Sequence, residues 1–278
     1  MNIFQAIILG IVQGLSEFLP ISSTAHLTIA GKLMGLIDPD HPDYWTAFIA
    51  IIQLGTMTAV VIYFFNDLLR MLKAIISDAG GTKQPRWTTD SLLAWKICLG
   101  TFPVVVIGLL FKDTIEGKLT KELTTIASSM IGLAIILWAA ELIGKRKRTL
   151  NQLSSFDALL IGFAQCFALI PGSSRSGTTI TGGLFLGFDR EAAARFSFLL
   201  SIPAVLGSGM LEILHVRHHI AELGMANLVV STIISGIVGY AAIAFLLKYL
   251  RTHSTFLFIW YRLILGVTLW IFIFMGYH

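Results

Sequence analysis

Leu19-Pro20-Ile21-Ser22-Ser23-Thr24 and Ile170-Pro171-Gly172-Ser173-Ser174 are the two stretches that decide how this chain folds. Each interrupts apolar sequence and leaves runs too short to cross a bilayer: residues 3–16 and 25–37 around the first, 156–170 and 178–188 around the second. Proline disfavours the helical conformation of the residue before it and lacks a backbone donor, so a helix must break at each stretch. We therefore predict two broken, re-entrant hairpins, because irregular backbone inside a membrane survives only where protein or water covers it.

The remaining apolar sequence predicts membrane-spanning helices. A helix needs about 20 residues to cross ~30 Å of hydrocarbon, and six runs are long enough: 44–65, 92–111, 124–143, 196–214, 226–250 and 255–276. Charged residues make up only 13% of the chain and hydrophobic residues 55%, whereas soluble domains carry about 25% charged residues. The N-terminus has no basic region or cleavage signal, so we expect the first run to remain in the mature protein. The fold class is an all-α polytopic membrane protein.

The order of elements indicates an internal duplication. A hairpin and three spans occur twice, and Gly10-x-x-Gln13 before the first break matches Gly162-x-x-Gln165 before the second. We predict a single membrane domain over 1–278, with repeat one at about 1–143, a basic cytoplasmic loop at 144–155 and repeat two at about 156–278. Three spans per half is an odd number, so the second repeat should be inverted relative to the first.

Charge predicts the orientation of the chain. Placing Lys145-Arg146-Lys147-Arg148 in the cytoplasm puts 12 of the 20 basic residues there, in the segments 66–91, 144–155, 188–195 and 248–255. This bias follows the positive-inside rule and leaves both termini external. Contact of the same cluster with lipid headgroups is compatible with this orientation. The net charge is +4, and the basic residues lie mainly in short loops between the apolar runs. This distribution is typical of topology control in a membrane protein, so we expect a membrane partner and no nucleic acid.

The first break carries candidate chemistry. Gln13 and Glu17 are four residues apart and share a helical face. A carboxylate in a membrane segment costs on the order of 2.5–3.5 kcal/mol, which a bound cation or a basic partner must offset. Three hydroxyl residues would start the next helix and offer N-cap oxygens and free N–H groups to an anion: Ser22, Ser23 and Thr24. His26 follows one turn after Ser23, within reach for proton transfer.

The second break reads as a phosphate-binding loop. Arg175 supplies a planar cation suited to bidentate phosphate contact, and two glycines let the backbone approach a ligand. The candidate binding residues around it are Ser173, Ser174, Ser176, Gly177 and Thr178. No lysine follows in the pattern of a nucleotide P-loop. Each feature alone has a structural explanation, such as interhelical hydrogen bonding or one ion pair; their combination at two matched breaks favours an anion site.

Other residues have simpler interpretations. Glu141 and Glu212 lie near span ends and should reach the interface by snorkelling. Three aromatic residues fit interfacial anchors: Trp87, Trp260 and Tyr261. The histidines at 215, 218 and 219 could bind a metal, although a solvated loop is the commoner explanation.

At the two breaks the sequence closely resembles the bacterial undecaprenyl pyrophosphate phosphatase family, the type associated with bacitracin resistance. Three segments carry the family pattern: Gln13–Glu17 matches [E/Q]-x-x-x-E, Leu19–His26 matches L-P-x-S-S-T-x-H, and Pro171–Thr179 matches P-G-x-S-R-S-x-x-T. The resemblance extends over essentially the whole chain. It implies hydrolysis of a polyprenyl pyrophosphate lipid at the external face of the bacterial plasma membrane, which recycles the carrier for cell-wall synthesis.

The resemblance also implies roles for single residues. Glu17 would be the essential acid and a metal ligand, Ser23 the nucleophile and His26 a proton-transfer group. Arg175, with Ser174 and Ser176, would clamp the pyrophosphate, and the cofactor would be a divalent cation, Mg²⁺ or Ca²⁺. Gln13 stands where some members carry a carboxylate, which leaves open whether this position binds metal here.

Several alternatives stay open at this stage. The attacking group is either Ser23 or a metal-bound water. A secondary transporter or flippase for an anionic polyprenyl lipid or for phosphate would share the architecture, but it would not require Ser23 beside Glu17 and His26. The sequence does not decide the lipid chain length or the oligomeric state, for which a homodimer is one candidate.

Overall fold

The computed structural model describes residues 1–38, 42–80, 87–111, 122–216 and 224–276; for residues 42–43, 80 and 208–216 it describes the backbone alone. Eleven α-helices lie in these ranges: α1 (Ile3–Phe18), α2 (Ser23–Leu33), α3 (Pro42–Tyr63), α4 (Phe65–Gly80), α5 (Thr89–Leu110), α6 (Leu123–Ile143), α7 (Ser155–Cys166), α8 (Arg175–Phe185), α9 (Arg190–Val216), α10 (Met225–Leu250) and α11 (Phe256–Phe274). Two short 3₁₀ turns, Leu150–Gln152 and Phe167–Leu169, precede and follow α7. The chain is all-α, as predicted.

Five of the helices are long and apolar enough to cross a membrane within the described ranges. They comprise Tyr44–Tyr63 of α3, and α5, α6, α10 and α11 in full. These five match five of the six predicted spans. The sixth, 196–214, lies inside α9, a helix of 27 residues whose side chains beyond residue 207 are not described. The sequence analysis missed one helix, α4. It assigned the segment 66–91 to the cytoplasm but predicted no secondary structure there.

The two predicted breaks are present. Helix α1 ends at Phe18, Leu19 is extended, and α2 begins at Ser23. Helix α7 ends at Cys166 and passes through the second 3₁₀ turn, and α8 begins at Arg175. The helices resume with different spacing: the capping residue is Ser22, two residues after its proline, but Ser174, three residues after its proline. The structure therefore pairs Ser22 with Ser174, and each of these serines lies nine residues after its matched glutamine, Gln13 or Gln165.

The breaks are positioned by unusually close helix contacts. Helix α1 packs chiefly against α10, and α7 packs chiefly against α5. A Cβ atom added at Gly10 would lie 2.7 Å from the carbonyl oxygen of Ser231, and one added at Gly162 would lie 2.2 Å from that of Gly100. Because real Cβ atoms do not approach so closely, these two glycines are what allows each first half-helix to touch its neighbour.

The prediction that Glu141 reaches the membrane interface by snorkelling is wrong. The side chain is buried and accepts hydrogen bonds from Arg190 Nε at 2.9 Å, from Arg146 Nη1 at 3.1 Å and from Thr255 Oγ1 at 2.7 Å. Hydrogen bonds and paired charges of this kind are what allow a carboxylate to be buried. Glu141 therefore joins α6 to the start of α9 and the start of α11. The side chain of Glu212 is not described.

The basic cluster at residues 145–148 is divided between two environments. Arg146 binds Glu141, and Arg148 binds Asp157 with Nη1 at 3.0 Å and Nη2 at 2.5 Å. Arg148 also lies over the ring of Phe188, 4.3 Å from its centroid. Lys145 and Lys147 are exposed. The two arginines therefore hold helices together, and the two lysines are free to contact lipid headgroups.

Replacing Glu141 by glutamine is expected to lower the free energy of unfolding by about 3–5 kcal/mol, because it leaves two arginines without a buried counter-charge. Thermal unfolding of the purified protein in detergent measures this effect. The matched control is Glu191→Gln, which breaks the more exposed pair with Arg251 and should change stability by less than about 1 kcal/mol. Equal destabilisation by the two variants would contradict the structural role of Glu141.

Candidate active site

An ion pair joins the two breaks. Glu17 lies in the last turn of α1, Arg175 is the first residue of α8, and Arg175 Nη2 donates to Glu17 Oε1. The side chains are 6% and 17% exposed, respectively. From the sequence we expected either a cation or a basic partner to offset the free-energy cost of placing this carboxylate in a membrane segment. In the structure the basic partner is Arg175. The contact brings the acid of the first motif to the guanidinium of the second.

Two amide side chains complete the surroundings of Glu17. Gln13 Nε2 donates to Glu17 Oε2 at 3.1 Å, and Gln53 Nε2 donates to Glu17 Oε1 at 3.1 Å. Gln13 Nε2 also lies 3.3 Å from Thr56 Oγ1, while its own Oε1 has no hydrogen-bond partner among the described residues. Gln13 is thus placed as predicted, whereas the sequence analysis missed Gln53 and Thr56 because only folding brings α3 to this point.

A serine with unusual backbone geometry immediately precedes each second half-helix. Ser22 has φ 77° and Ser174 has φ 68°, values that residues other than glycine rarely adopt. Ser22 Oγ accepts from the N–H of Ala25 at 3.3 Å, and Ser174 Oγ accepts from the N–H of Gly177 at 3.2 Å. Both serines therefore act as N-caps, and such strained positions concentrate at functional sites.

The remaining hydroxyls differ in their availability. Ser176 Oγ donates to the carbonyl of Leu19 at 3.1 Å and thereby links the two breaks. Thr178 Oγ1 donates to the carbonyl of Arg175 within its own helix. The Ser173 hydroxyl is buried and has no partner in the described part of the chain. Ser23 is half-buried and Thr24 is exposed. Neither of these two hydroxyls forms a side-chain hydrogen bond within the described ranges.

His26 is engaged by groups other than Ser23. Its Nδ1 lies 2.7 Å from the carbonyl oxygen of Ser22, and its Nε2 lies 2.6 Å from the hydroxyl of Tyr261. Both ring nitrogens therefore already have hydrogen-bond partners. To accept a proton from Ser23, His26 must first give up one of these two hydrogen bonds. Tyr261 is half exposed and stacks on His26, so it is more than the interfacial anchor that its position in the sequence suggested.

Arg262 is the largest omission of the sequence analysis. Its side chain is fully buried, and it donates to three carbonyl oxygens: Met130 at 3.3 Å, Pro20 at 3.4 Å and Gly172 at 3.2 Å. The guanidinium thus touches both breaks and α6. A Cβ at Gly177 would lie 2.7 Å from Arg262 Nη1, so this glycine makes room for the arginine. The available signal was a charged residue inside the predicted span 255–276.

A small cavity adjoins the ion pair between α1, α3, α8 and α9. Glu17, Arg175, Thr56 and Ser201 supply its polar lining, and Phe18 and Val60 are among its apolar residues. A larger cavity lies elsewhere, beside Asp67, Arg70, Asp90 and Arg195. The arginines beside both cavities are paired with carboxylates. The cavity beside Glu17 is the better candidate for binding an anion because it adjoins the first residue of α8, where backbone N–H groups are free of helical partners.

The donor set at Glu17 limits the kind of metal site that fits. In the described part of the chain, no three residues of the types His, Cys, Asp and Glu are grouped to hold a metal ion. The Glu17 carboxylate, together with the Oε1 of Gln13 that has no partner among the described residues, fits Mg²⁺ or Ca²⁺ when phosphate oxygens of a substrate supply further ligands. The described residues around Glu17 are therefore compatible with a cation that arrives with a phosphorylated ligand.

Comparison with known proteins identifies the family. The family model described as bacitracin resistance protein BacA matches residues 6–268. The chain belongs to the BacA family. Relatives named undecaprenyl-diphosphatase are similar over nearly their full lengths. The protein from Chlorobaculum tepidum is 53% identical over 97% of this chain and 96% of its own. Those from Chloroherpeton thalassium and Syntrophobacter fumaroxidans are 51% and 50% identical, covering 99% and 96% of this chain and 98% and 95% of their own.

Membership in the BacA family confirms the resemblance that the two motifs indicated. The match includes both breaks, α3 with Gln53, and Tyr261 and Arg262 of α11. The residues that meet at the junction of the breaks therefore all lie inside the matched region.

Proposed function

We propose that this protein hydrolyses undecaprenyl pyrophosphate to undecaprenyl phosphate and inorganic phosphate, which returns the carrier lipid to cell-wall synthesis. The observation that carries the proposal is the Glu17–Arg175 pair at the junction of two serine-capped breaks, in a chain whose relatives are named undecaprenyl-diphosphatase. The lipid tail stays in the bilayer, and the diphosphate binds where the two breaks meet.

Binding of the diphosphate exchanges partners at the ion pair. Arg175 leaves Glu17 and forms bidentate bonds to phosphate oxygens, while the start of α8 offers backbone N–H groups to the same anion. Glu17, with the amide oxygen of Gln13, would hold a divalent cation, Mg²⁺ or Ca²⁺, which neutralises phosphate charge when bound. When Arg175 moves to the diphosphate, Glu17 is free to bind the cation. Each of the two ligands therefore strengthens binding of the other.

Ser23 is the proposed nucleophile. Its Oγ bonds to the terminal phosphorus, the bond to the bridging oxygen breaks, and undecaprenyl phosphate leaves. Water then attacks the phosphoserine and releases phosphate. His26 or Glu17 accepts the proton of the attacking hydroxyl. The free hydroxyl of Ser23 supports this role, and direct attack by water is the alternative.

Replacing Ser23 by alanine is expected to lower phosphate release by at least ~10³-fold, because the covalent route is lost. The measurement is phosphate release by the purified variant, together with trapping of phosphate on Ser23 in the unmodified enzyme. Ser128→Ala is the matched control, since Ser128 is an exposed membrane-helix serine bonded to its own helix. Full activity in Ser23→Ala would show that water attacks directly.

The orientation and symmetry of the chain are also proposed. Helices α1 and α7 each pack against a span of the other half, and α10 contacts α3 as α5 contacts α9. This exchange supports two inverted repeats. The distribution of basic residues supports a bacterial plasma-membrane orientation with the site facing the external side and residue 147 in the cytoplasm. A cysteine at position 147, in a background lacking Cys98 and Cys166, should be labelled by a membrane-impermeant thiol reagent only after cells are opened. Labelling of intact cells would contradict the orientation.

One assay separates the proposed hydrolase from a transporter. Purified protein in detergent, given undecaprenyl pyrophosphate, should release phosphate with Mg²⁺ or Ca²⁺ and lose activity in chelator. If no phosphate appears but reconstituted protein moves the lipid between leaflets, the flippase alternative holds. A homodimer stays a prediction, which cross-linking in the membrane would test.

A further inference from the structure

We propose that Tyr261 is a positioning residue for His26, holding its imidazole in the neutral form that carries hydrogen on Nδ1 and presents Nε2 as an acceptor. The catalytic consequence of this arrangement rests on the proposed function, whereas the arrangement itself does not. It assigns a role to α11, which contributes no residue to either sequence motif.

The hydrogen bonds determine which ring nitrogen carries the hydrogen. Nδ1 of His26 faces the carbonyl oxygen of Ser22 at 2.7 Å, and a carbonyl only accepts, so Nδ1 must donate. A neutral imidazole then has a lone pair on Nε2, which accepts the hydroxyl hydrogen of Tyr261 at 2.6 Å. The two rings are nearly parallel, with an interplanar angle of 9° and centroids 5.5 Å apart. The ring of His26 is therefore held at both nitrogens.

A tyrosine hydroxyl suits a histidine that gains and loses a proton. It donates to neutral Nε2, and it can rotate and accept from Nε2–H once His26 has taken a proton. Phenylalanine at position 261 would keep the ring stacking but provide neither bond. Tyr261 thus has a hydrogen bond to offer His26 in both protonation states.

Packing around α11 keeps Tyr261 in place. The next residue, Arg262, is anchored to the carbonyls of Pro20, Gly172 and Met130. Pro20 belongs to the break that precedes α2, and His26 lies in α2 itself. One turn of α11 therefore contacts both, through Arg262 and Tyr261 respectively. The preceding residue, Trp260, points elsewhere and packs on Trp138, 5.4 Å between ring centroids.

The test compares Tyr261→Phe with the adjacent control Trp260→Phe. In ¹⁵N-histidine-labelled protein, with the His26 signals assigned by their loss in His26→Gln, the unmodified enzyme should show hydrogen on Nδ1. Tyr261→Phe should show a mixture of both neutral tautomers, and Trp260→Phe should be unchanged. General acid–base catalysis contributes about 10²–10⁴-fold, so we expect partial loss of His26 orientation in Tyr261→Phe to lower kcat by up to ~10²-fold. KM should stay within about twofold, and Trp260→Phe should show no change.

Coupling between the two residues gives a second measurement. If Tyr261 acts through His26, the double variant with His26→Gln should be no slower than His26→Gln alone. Hydrogen on Nε2 in the unmodified enzyme would overturn the proposal, even if Tyr261→Phe does not fold. An unaltered tautomer in Tyr261→Phe would also overturn it. A tautomer change in an enzyme that releases no phosphate would support the positioning and reject the hydrolase function.

Discussion

Replacing Arg175 by alanine is expected to lower phosphate release by at least ~10²-fold, because the variant loses the positive charge that receives the diphosphate where charge develops during transfer. Gln13 and Gln53 still donate to Glu17, so the carboxylate keeps part of its environment and the protein should remain in the membrane. The measurement is the phosphate-release assay on purified protein, with membrane yield and thermal unfolding followed in parallel.

Arg175→Lys distinguishes charge from geometry. Lysine keeps the positive charge but cannot reproduce two parallel N–H bonds to one phosphate, so we expect a loss within about tenfold of that caused by alanine. The control is Arg251→Ala, which removes an exposed arginine paired with Glu191. Near-normal release by folded Arg175→Ala would show that the clamp is misassigned, and full rescue by lysine would show that charge alone matters.

Replacing Glu17 by glutamine is expected to have two opposite effects. Hydrolysis should fall by at least ~10²-fold, because the proposed acid and cation ligand is lost. Binding of a non-hydrolysable diphosphonate without metal should become about tenfold tighter, since glutamine no longer holds Arg175 by charge and tenfold corresponds to about 1.4 kcal/mol. Calorimetric titration of the purified variant with methylenediphosphonate in chelator measures the second effect.

The metal dependence of this binding supplies the internal comparison. In the unmodified protein, Mg²⁺ should strengthen diphosphonate binding, and by reciprocity diphosphonate should strengthen Mg²⁺ binding by the same factor. This coupling should disappear in Glu17→Gln and persist in the control Glu191→Gln. Weaker metal-free binding in Glu17→Gln would contradict the idea that Glu17 competes with the substrate for Arg175.

The parts of the fold that local sequence controls were predicted well. Proline, the residue before it and a following serine act over a few positions, so both breaks and the cap at Ser22 could be predicted without tertiary information. The same reasoning placed Glu17 and Arg175 at the ends of half-helices. It did not specify the second cap, Ser174, which follows Pro171 by one residue more than Ser22 follows Pro20.

The missed residues depend on contacts between distant segments. Gln53, Tyr261 and Arg262 sit in apolar spans where a single polar residue has many explanations, and only packing shows that they reach the breaks. Glu141 was assigned to the interface because of its place near a span end. Its burial follows from two arginines, at 146 and 190, whose direction no local pattern specifies.

The packing of α1 against α10 has a consequence for biosynthesis. Helix α1 is translated first, whereas α10 begins at Met225, about 200 residues later. At bacterial elongation speeds of about 5–20 residues per second, the delay is roughly 10–40 s. Glu17 therefore lies in an apolar segment for about 160 residues of synthesis before its guanidinium partner Arg175 is made, and for about 200 before its main neighbouring span begins. The insertion machinery must therefore shelter this segment until α10 has been made.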